Sequence, residues 1–437
     1  MSFIGIIISI LILGILVVVH EFGHYIVARK NGIFVKEFSI GFGPRIISHE
    51  CKSGMLFSWK AIPFGGSCQM LGALEDEDDD TDNEQSYDKK SVWARISVTI
   101  AGPVFNFLLA FILAVIVIGT VGYDPAVVLS VVEDSPVYEA GLRAGDKIVS
   151  YNGASINFGK EIYLQNYVDP ITEDSQVSIT YERDGQKNSI TVKPAQYDYY
   201  SVGISYYSNE AEAEIAEVSE GSPCDEAGIR AGDVITSING TEINSGQELE
   251  QFFSEYEITS DPIEVKFTRH GGEYETLVQP VLKSAYRLGF TYNTASVKAG
   301  VLETLKYSFA EIGYEIKSIF MSLGILFSDQ GSLDMLSGPV GIVEVVGTTY
   351  DISAASGFLT TLMNMLSIMI MLSANLGLLN LFPIPALDGG RLLLLLIEAI
   401  SRRRLAKKTE GIITVIGASL LMILMLVVMV NDVTKFF

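Results

Sequence analysis

Apolar residues gather along the chain into four long blocks, roughly Phe3–Val27, Ile96–Val121, Phe358–Leu381 and Gly411–Val430. Each meets or approaches the ~20 residues an α-helix needs to cross a bilayer. Leu392–Ile400 is apolar too, but too short to span alone. The first block has no basic residue ahead of it, no small-residue cleavage pattern and more length than an h-region, so it is read as a retained helix rather than a signal peptide. Between the second and third blocks the period changes to two. "QVSITYERDGQKNSITVKP" and "PIEVKFTRHGGEYETLVQP" both read as β-hairpins. The same section holds a repeat: "SPVYEAGLRAGDKIVSYNG" (Ser135–Gly153) returns as "SPCDEAGIRAGDVITSING" (Ser222–Gly240). Two copies are too few for a solenoid, so two small α+β modules are expected. "VKAGVLETLKYSFAEIGYEIKSIFMSLGILF" shows helical spacing with a charged face, predicting a helix on the outer membrane surface or against the bundle. "SGPVGI" (Ser337–Ile342) reads as a Gly/Pro-rich loop. Phe38–Gly72 alternates and carries glycines, predicting a short sheet or re-entrant hairpin close to the membrane.

Charge sets the orientation. Arg29 and Lys30 follow the first block, Lys89, Lys90 and Arg95 precede or open the second, and "SRRRLAKK" precedes the fourth. Lys and Arg favour the cytoplasmic side, so the termini and Asp124–Gly357 are expected outside. A net charge of −22 argues against a nucleic-acid surface. The acidic run Glu75–Glu84 reads as a solvated loop. The cysteines, Cys51, Cys68 and Cys224, form no CxxC pair and suggest neither a disulfide framework nor a zinc ribbon.

The chemistry lies where the first block should be least polar. "HEFGH" places His20, Glu21 and His24 inside it, in an HExxH pattern. Ionisable residues in a membrane helix are costly and point to function. Residues four apart face the same way on a helix, so two imidazoles can share one zinc while Glu21 holds and deprotonates a water. A catalytic zinc wants a third protein ligand. Asp388 is the only carboxylate between Asp351 and Glu398, amid Pro383, Pro385, Gly389 and Gly390, which break the helix. The third block runs outside to inside like the first, so Asp388 falls at a depth comparable to His20 and His24.

"AGLRAGDKIVSYNG" and "AGIRAGDVITSING" resemble the core of bacterial PDZ domains, which bind extended peptides at a sheet edge. "HEFGH", "PFGGSCQMLG", "AGPVFNFLLA" and "NLFPIPALDGG", in that order, resemble the site-2 protease family. The inserted pair is similar to its bacterial regulator of sigma-E protease branch. The resemblance implies a zinc intramembrane endopeptidase of the bacterial cell membrane with one Zn2+ per chain. Its metal ligands would be His20, His24 and Asp388, with Glu21 as general base. Asn380, from NxxPxPxLDGG, and Asn106, from GPxxN, are carried over as candidates for substrate handling and active-site structure. The implied partners are the lipid bilayer, single-span membrane proteins after a first cleavage, and peptides at the PDZ domains. The implied fold is a multi-pass α-helical membrane protein with four transmembrane helices, a membrane-associated β-hairpin or sheet and two inserted α+β PDZ domains. Its divisions are spans at 1–30, 96–122, 358–391 and 410–431, cytoplasmic segments at 31–95 and 392–409, PDZ copies at 123–197 and 198–285, and an outer-face helix and loop at 286–357. The rival reading is a non-catalytic membrane-anchored PDZ scaffold, which predicts no stoichiometric zinc.

Overall fold

The computed structural model describes residues 2–73, 83–206, 212–293, 296–328, 331–332, 335–404 and 407–436. Most of the acidic run Glu75–Glu84 lies outside them. In chain order the elements begin with α1 (Phe3–Lys30), β1 (Val35–Glu50), β2 (Leu56–Met70) and α2 (Val92–Val121). The first repeat follows as β3 (Val128–Val131), α3 (Pro136–Glu139), β4 (Lys147–Tyr151), β5 (Ala154–Ser155), α4 (Gly159–Val168), β6 (Val177–Arg183) and β7 (Gln186–Val192). After β8 (Ala195–Ser201) comes the second: β9 (Ile204–Tyr206), β10 (Ile215–Val218), α5 (Pro223–Glu226), β11 (Val234–Ile238), β12 (Thr241–Glu242), α6 (Gly246–Glu255), β13 (Ile263–Arg269) and β14 (Gly272–Val278). The chain closes with β15 (Val281–Arg287), β16 (Phe290–Tyr292), α7 (Val301–Leu326), α8 (Pro339–Ala354), α9 (Phe358–Asn380), α10 (Asp388–Ser401) and α11 (Lys407–Phe436). Among the described residues four helices are long and apolar enough to cross a membrane, within α1, α2, α9 and α11.

The chain divides into two compact units: 1–125 with 157–168 and 294–437, and 126–156 with 169–293. In the first, α1, α2, α8 and α9 share a core that includes Ile12, Leu16, Leu113, Val346 and Met369. The expectation for Ser337–Ile342 is corrected. Pro339 opens α8 as its first residue, where a missing N–H and a fixed φ suit a helix start. That helix runs along α1: Ser9 Oγ donates to the Val343 carbonyl at 3.1 Å, and Ser2 Oγ to Asp351 at 2.5 Å. Asp432 of α11 accepts from the Gly338 and Gly341 N–H groups at the start of α8. The 358–391 span is also two helices, α9 and α10. Between them Pro383 and Pro385 withhold backbone donors and Ala386 adopts φ +79°. Any side chain at Gly389 or Gly390 would strike the carbonyls of that turn. In the β1–β2 hairpin, residues 37–40 pair both with 66–69 and with 56–59, and 45–50 fold back onto 56–60. Residues 66–70 thus form one edge. The helix α4 packs in this unit against α7, where Lys160 Nζ bonds Glu311 at 2.6 Å and Phe158 meets Tyr307.

In the second unit each repeat builds a four-stranded sheet, β5-β4-β6-β7 and β12-β11-β13-β14. The Asp of each "AGD" turn is buried and gripped at two oxygens by an Arg from the third strand of its sheet. These pairs are Asp146 with Arg183 and Asp233 with Arg269, all at 2.6–2.7 Å. Asp233→Ala should destabilise the second repeat by about 2–3 kcal/mol, since Arg269 loses both bonds but is part-exposed. Faster hydrogen exchange along β13 checks this. The side-by-side arrangement at 123–197 and 198–285 needs revision. The strand that pairs with β3 is β16, from beyond the second repeat, just as β9 pairs with β10. The second repeat is therefore nested in the first, and the β8–β15 ribbon carries the chain in and out.

Candidate metal centre

His20 and His24 sit one turn apart on α1, both buried, and their rings face Gly102 of α2. A hydrogen bond fixes each ring from behind. His24 Nδ1 lies 2.8 Å from the Val98 carbonyl, which can only accept, so its proton is on Nδ1 and Nε2 keeps a lone pair. His20 Nδ1 lies 3.1 Å from the side-chain amide of Asn106, which is fully buried. Asn106 Oδ1 has no other partner. Turning that amide lets His20 Nδ1–H donate to Oδ1 and frees the second Nε2 as well, with Nδ2 taking the position that has no partner.

Both Nε2 atoms point at Asp388, brought back by the α9–α10 turn. His20 Nε2 is 3.0 Å from Asp388 Oδ2, His24 Nε2 is 3.2 Å from it, and the two nitrogens are 3.2 Å apart. Tetrahedral zinc with bonds of about 2.0 Å spaces its ligands by about 3.3 Å. The triangle therefore fits a zinc ion with little adjustment. Among the described residues it is the one group of three His, Cys, Asp or Glu so gathered.

His20, Glu21, His24, Asn380 and Asp388 line one cavity of about 290 Å³. Glu21 also abuts the hairpin edge, where a Cβ on Gly66 would lie 3.4 Å from Glu21 Cγ. The joint carry-over of Asn106 and Asn380 divides here: Asn380 reaches the cavity, whereas Asn106 sits behind His20 with no surface for a substrate. Cys68 lines the cavity too. Burial, with the charge of Glu21 adding, pushes its thiol up to about 12, so it stays neutral. Gly102 was not singled out from sequence. A Cβ there would lie 2.7 Å from His20 Nε2 and closer still to His24 Nε2, against both ligand nitrogens. Its only signal was its place in "AGPVFNFLLA".

Apolar spanning helices around a buried His–His–carboxylate triangle with a second carboxylate beside it define a membrane-embedded metallohydrolase. The profile of peptidase family M50 matches residues 8–424. The chain is 30% identical to the regulator of sigma E protease of Haemophilus influenzae, over 97% of each chain. It is also 30% identical to the zinc metalloprotease RasP of Bacillus licheniformis, over 98% of each. The chain belongs to peptidase family M50, the site-2 protease family, and is an integral-membrane zinc metalloprotease. The scaffold alternative is not favoured.

Proposed function

We propose that this endopeptidase cuts within the membrane segments of single-span proteins already shortened by another protease. The convergence of three ligand atoms beside Glu21 carries the reading. His20, His24 and Asp388 would hold one zinc per chain. Zinc, when bound, polarises a scissile carbonyl and lowers the pKa of water. Glu21 accepts the proton of the attacking water and returns it to the leaving amine. Asn106 and the Val98 carbonyl keep the imidazoles in the ligating tautomer. A substrate helix must unwind first, because its carbonyls are hydrogen-bonded and shielded. The edge at 66–70, beside Glu21, supports strand addition as the means of holding it extended, with Asn380, which lines the same cavity, orienting the chain.

Orientation follows the basic residues. The Arg29–Lys30 end of α1 faces the cytoplasm, water reaches the site from there, and the nested repeats act outside as PDZ modules. They engage peptide ends or exclude bulky ectodomains, which makes prior trimming a condition for cleavage. Membrane-tethered anti-sigma factors and leftover signal peptides suit such a filter.

Metal analysis of the purified chain, paired with cleavage of a truncated single-span substrate, tests the whole. Asp388→Asn should lower both zinc content and turnover by at least about tenfold. An unchanged zinc stoichiometry would remove Asp388 from the ligand set.

A further inference from the structure

Where α1 ends, a cavity of about 300 Å³ opens between that end, the turn joining β1 to β2, and the strip leading into α2. Arg29 supplies the first wall, Ser53 and Met55 the second, and Gln85 the third, over a floor that includes the buried Ile33. Lys90 reaches the same space: a Cβ on Gly32, which lines it, would lie 3.3 Å from Lys90 Nζ. Neither cation has a carboxylate. Among the described residues the Arg29 guanidinium meets the Tyr25 hydroxyl at 2.9 Å and no acid, and Lys90 Nζ forms no ion pair. That is out of keeping with a chain of 52 acidic and 30 basic residues, in which Arg95, Lys160, Arg183 and Arg269 are each paired. The end of α1 offers an anion little repulsion, because the carbonyls of Val27, Ala28 and Arg29 already accept from Asn31, Gly32 and Ile33. The apolar run of α1 gives way to Arg29 and Lys30 at this point, so the cavity lies at the lipid–water boundary, the level of headgroup phosphates. A free phosphate ion would use the cations and leave the apolar floor wet. A glycerophospholipid uses both.

We infer that this cavity binds the phosphate of an anionic glycerophospholipid, held by Arg29 and Lys90 with the Ser53 hydroxyl and the Gln85 amide as further donors. The bound headgroup bridges α1 to the β1–β2 turn. That turn is closed by a 2.8 Å bond from the Cys51 N–H to the Met55 carbonyl, and Met55 packs in one core with Ala28 of α1 and Val98 of α2. Bridging therefore braces the hairpin whose edge at 66–70 stands beside Glu21. The binding site stands on its own; its effect on cleavage rests on the protease reading.

The test places the full chain in nanodiscs of phosphatidylcholine and titrates in a fluorescent phosphatidylglycerol, which should bind saturably. Arg29→Gln and Lys90→Gln should each weaken binding about fivefold, and together about thirtyfold. Ser53→Trp fills the cavity, keeps both charges and should cost at least about fivefold. Arg403→Gln removes another exposed charge, outside the cavity, and should change binding by less than about twofold. Unlabelled phosphatidylglycerol should raise kcat/KM on a single-span substrate by at least about threefold at constant zinc, and leave the double variant unmoved. Unchanged binding in the double variant, or an equal loss in Arg403→Gln, would overturn the site. Displacement of the probe by millimolar inorganic phosphate would overturn the lipid as its source. Binding intact with a flat cleavage response would overturn the bracing of the hairpin. If Glu21→Gln cuts as fast as the unaltered chain, the protease reading itself fails, and the lipid titration still judges the cavity.

Discussion

Glu21→Gln should abolish cleavage of a single-span substrate, with a fall of at least about 10³-fold, while zinc stays at the unaltered level. General base catalysis contributes about 10²–10⁴-fold, and among the described residues no second carboxylate lining the cavity is spare, because Asp388 is engaged by both histidines. The amide preserves size and hydrogen bonding but cannot take a proton. The ligand triangle does not include Glu21, so metal content separates loss of the base from loss of the site. Persistent turnover would refute the assignment.

Gly102→Ala should empty the centre. The added methyl would stand 2.7 Å from His20 Nε2 and 2.8 Å from Cε1 of the same ring, too close for either imidazole to stay where it is. The rings cannot retreat without losing the Val98 carbonyl and the Asn106 amide. Zinc content should drop below about a tenth of an equivalent, with activity following it, a loss comparable to removing a ligand. Gly324→Ala is the control, since a Cβ there meets nothing within 4 Å and alanine favours a helix. Full zinc occupancy in Gly102→Ala would show that α1 and α2 part more easily than their packing suggests.

The long apolar helices were legible because lipid demands long apolar runs, and the approach of His20 to His24 because HExxH sets the two one helical turn apart. Asp388 was legible for a different reason: a lone carboxylate among prolines and glycines has few structural uses. Gly102 was not, since its role is to have no side chain, and that can be read only against the rings opposite. Ser337–Ile342 misled because Gly and Pro signal a turn equally well before a helix as in a loop; the cap supplied by Asp432, some 90 residues later, decides it. The edge at 66–70 was legible as a strand. Its place beside Glu21 depends on long-range pairing that no local pattern encodes.

The route of the chain through the two repeats governs what can be cut away. Because β3 finds its partner in β16, a truncation at residue 197 strips the earlier module of a strand even though its own sequence looks whole. The later module is a cassette instead. Excising 202–280 and joining Ser201 to Val281, which face each other at the far end of the ribbon, should leave its host closed, so loss-of-function deletions that start from the linear map will blame the wrong module.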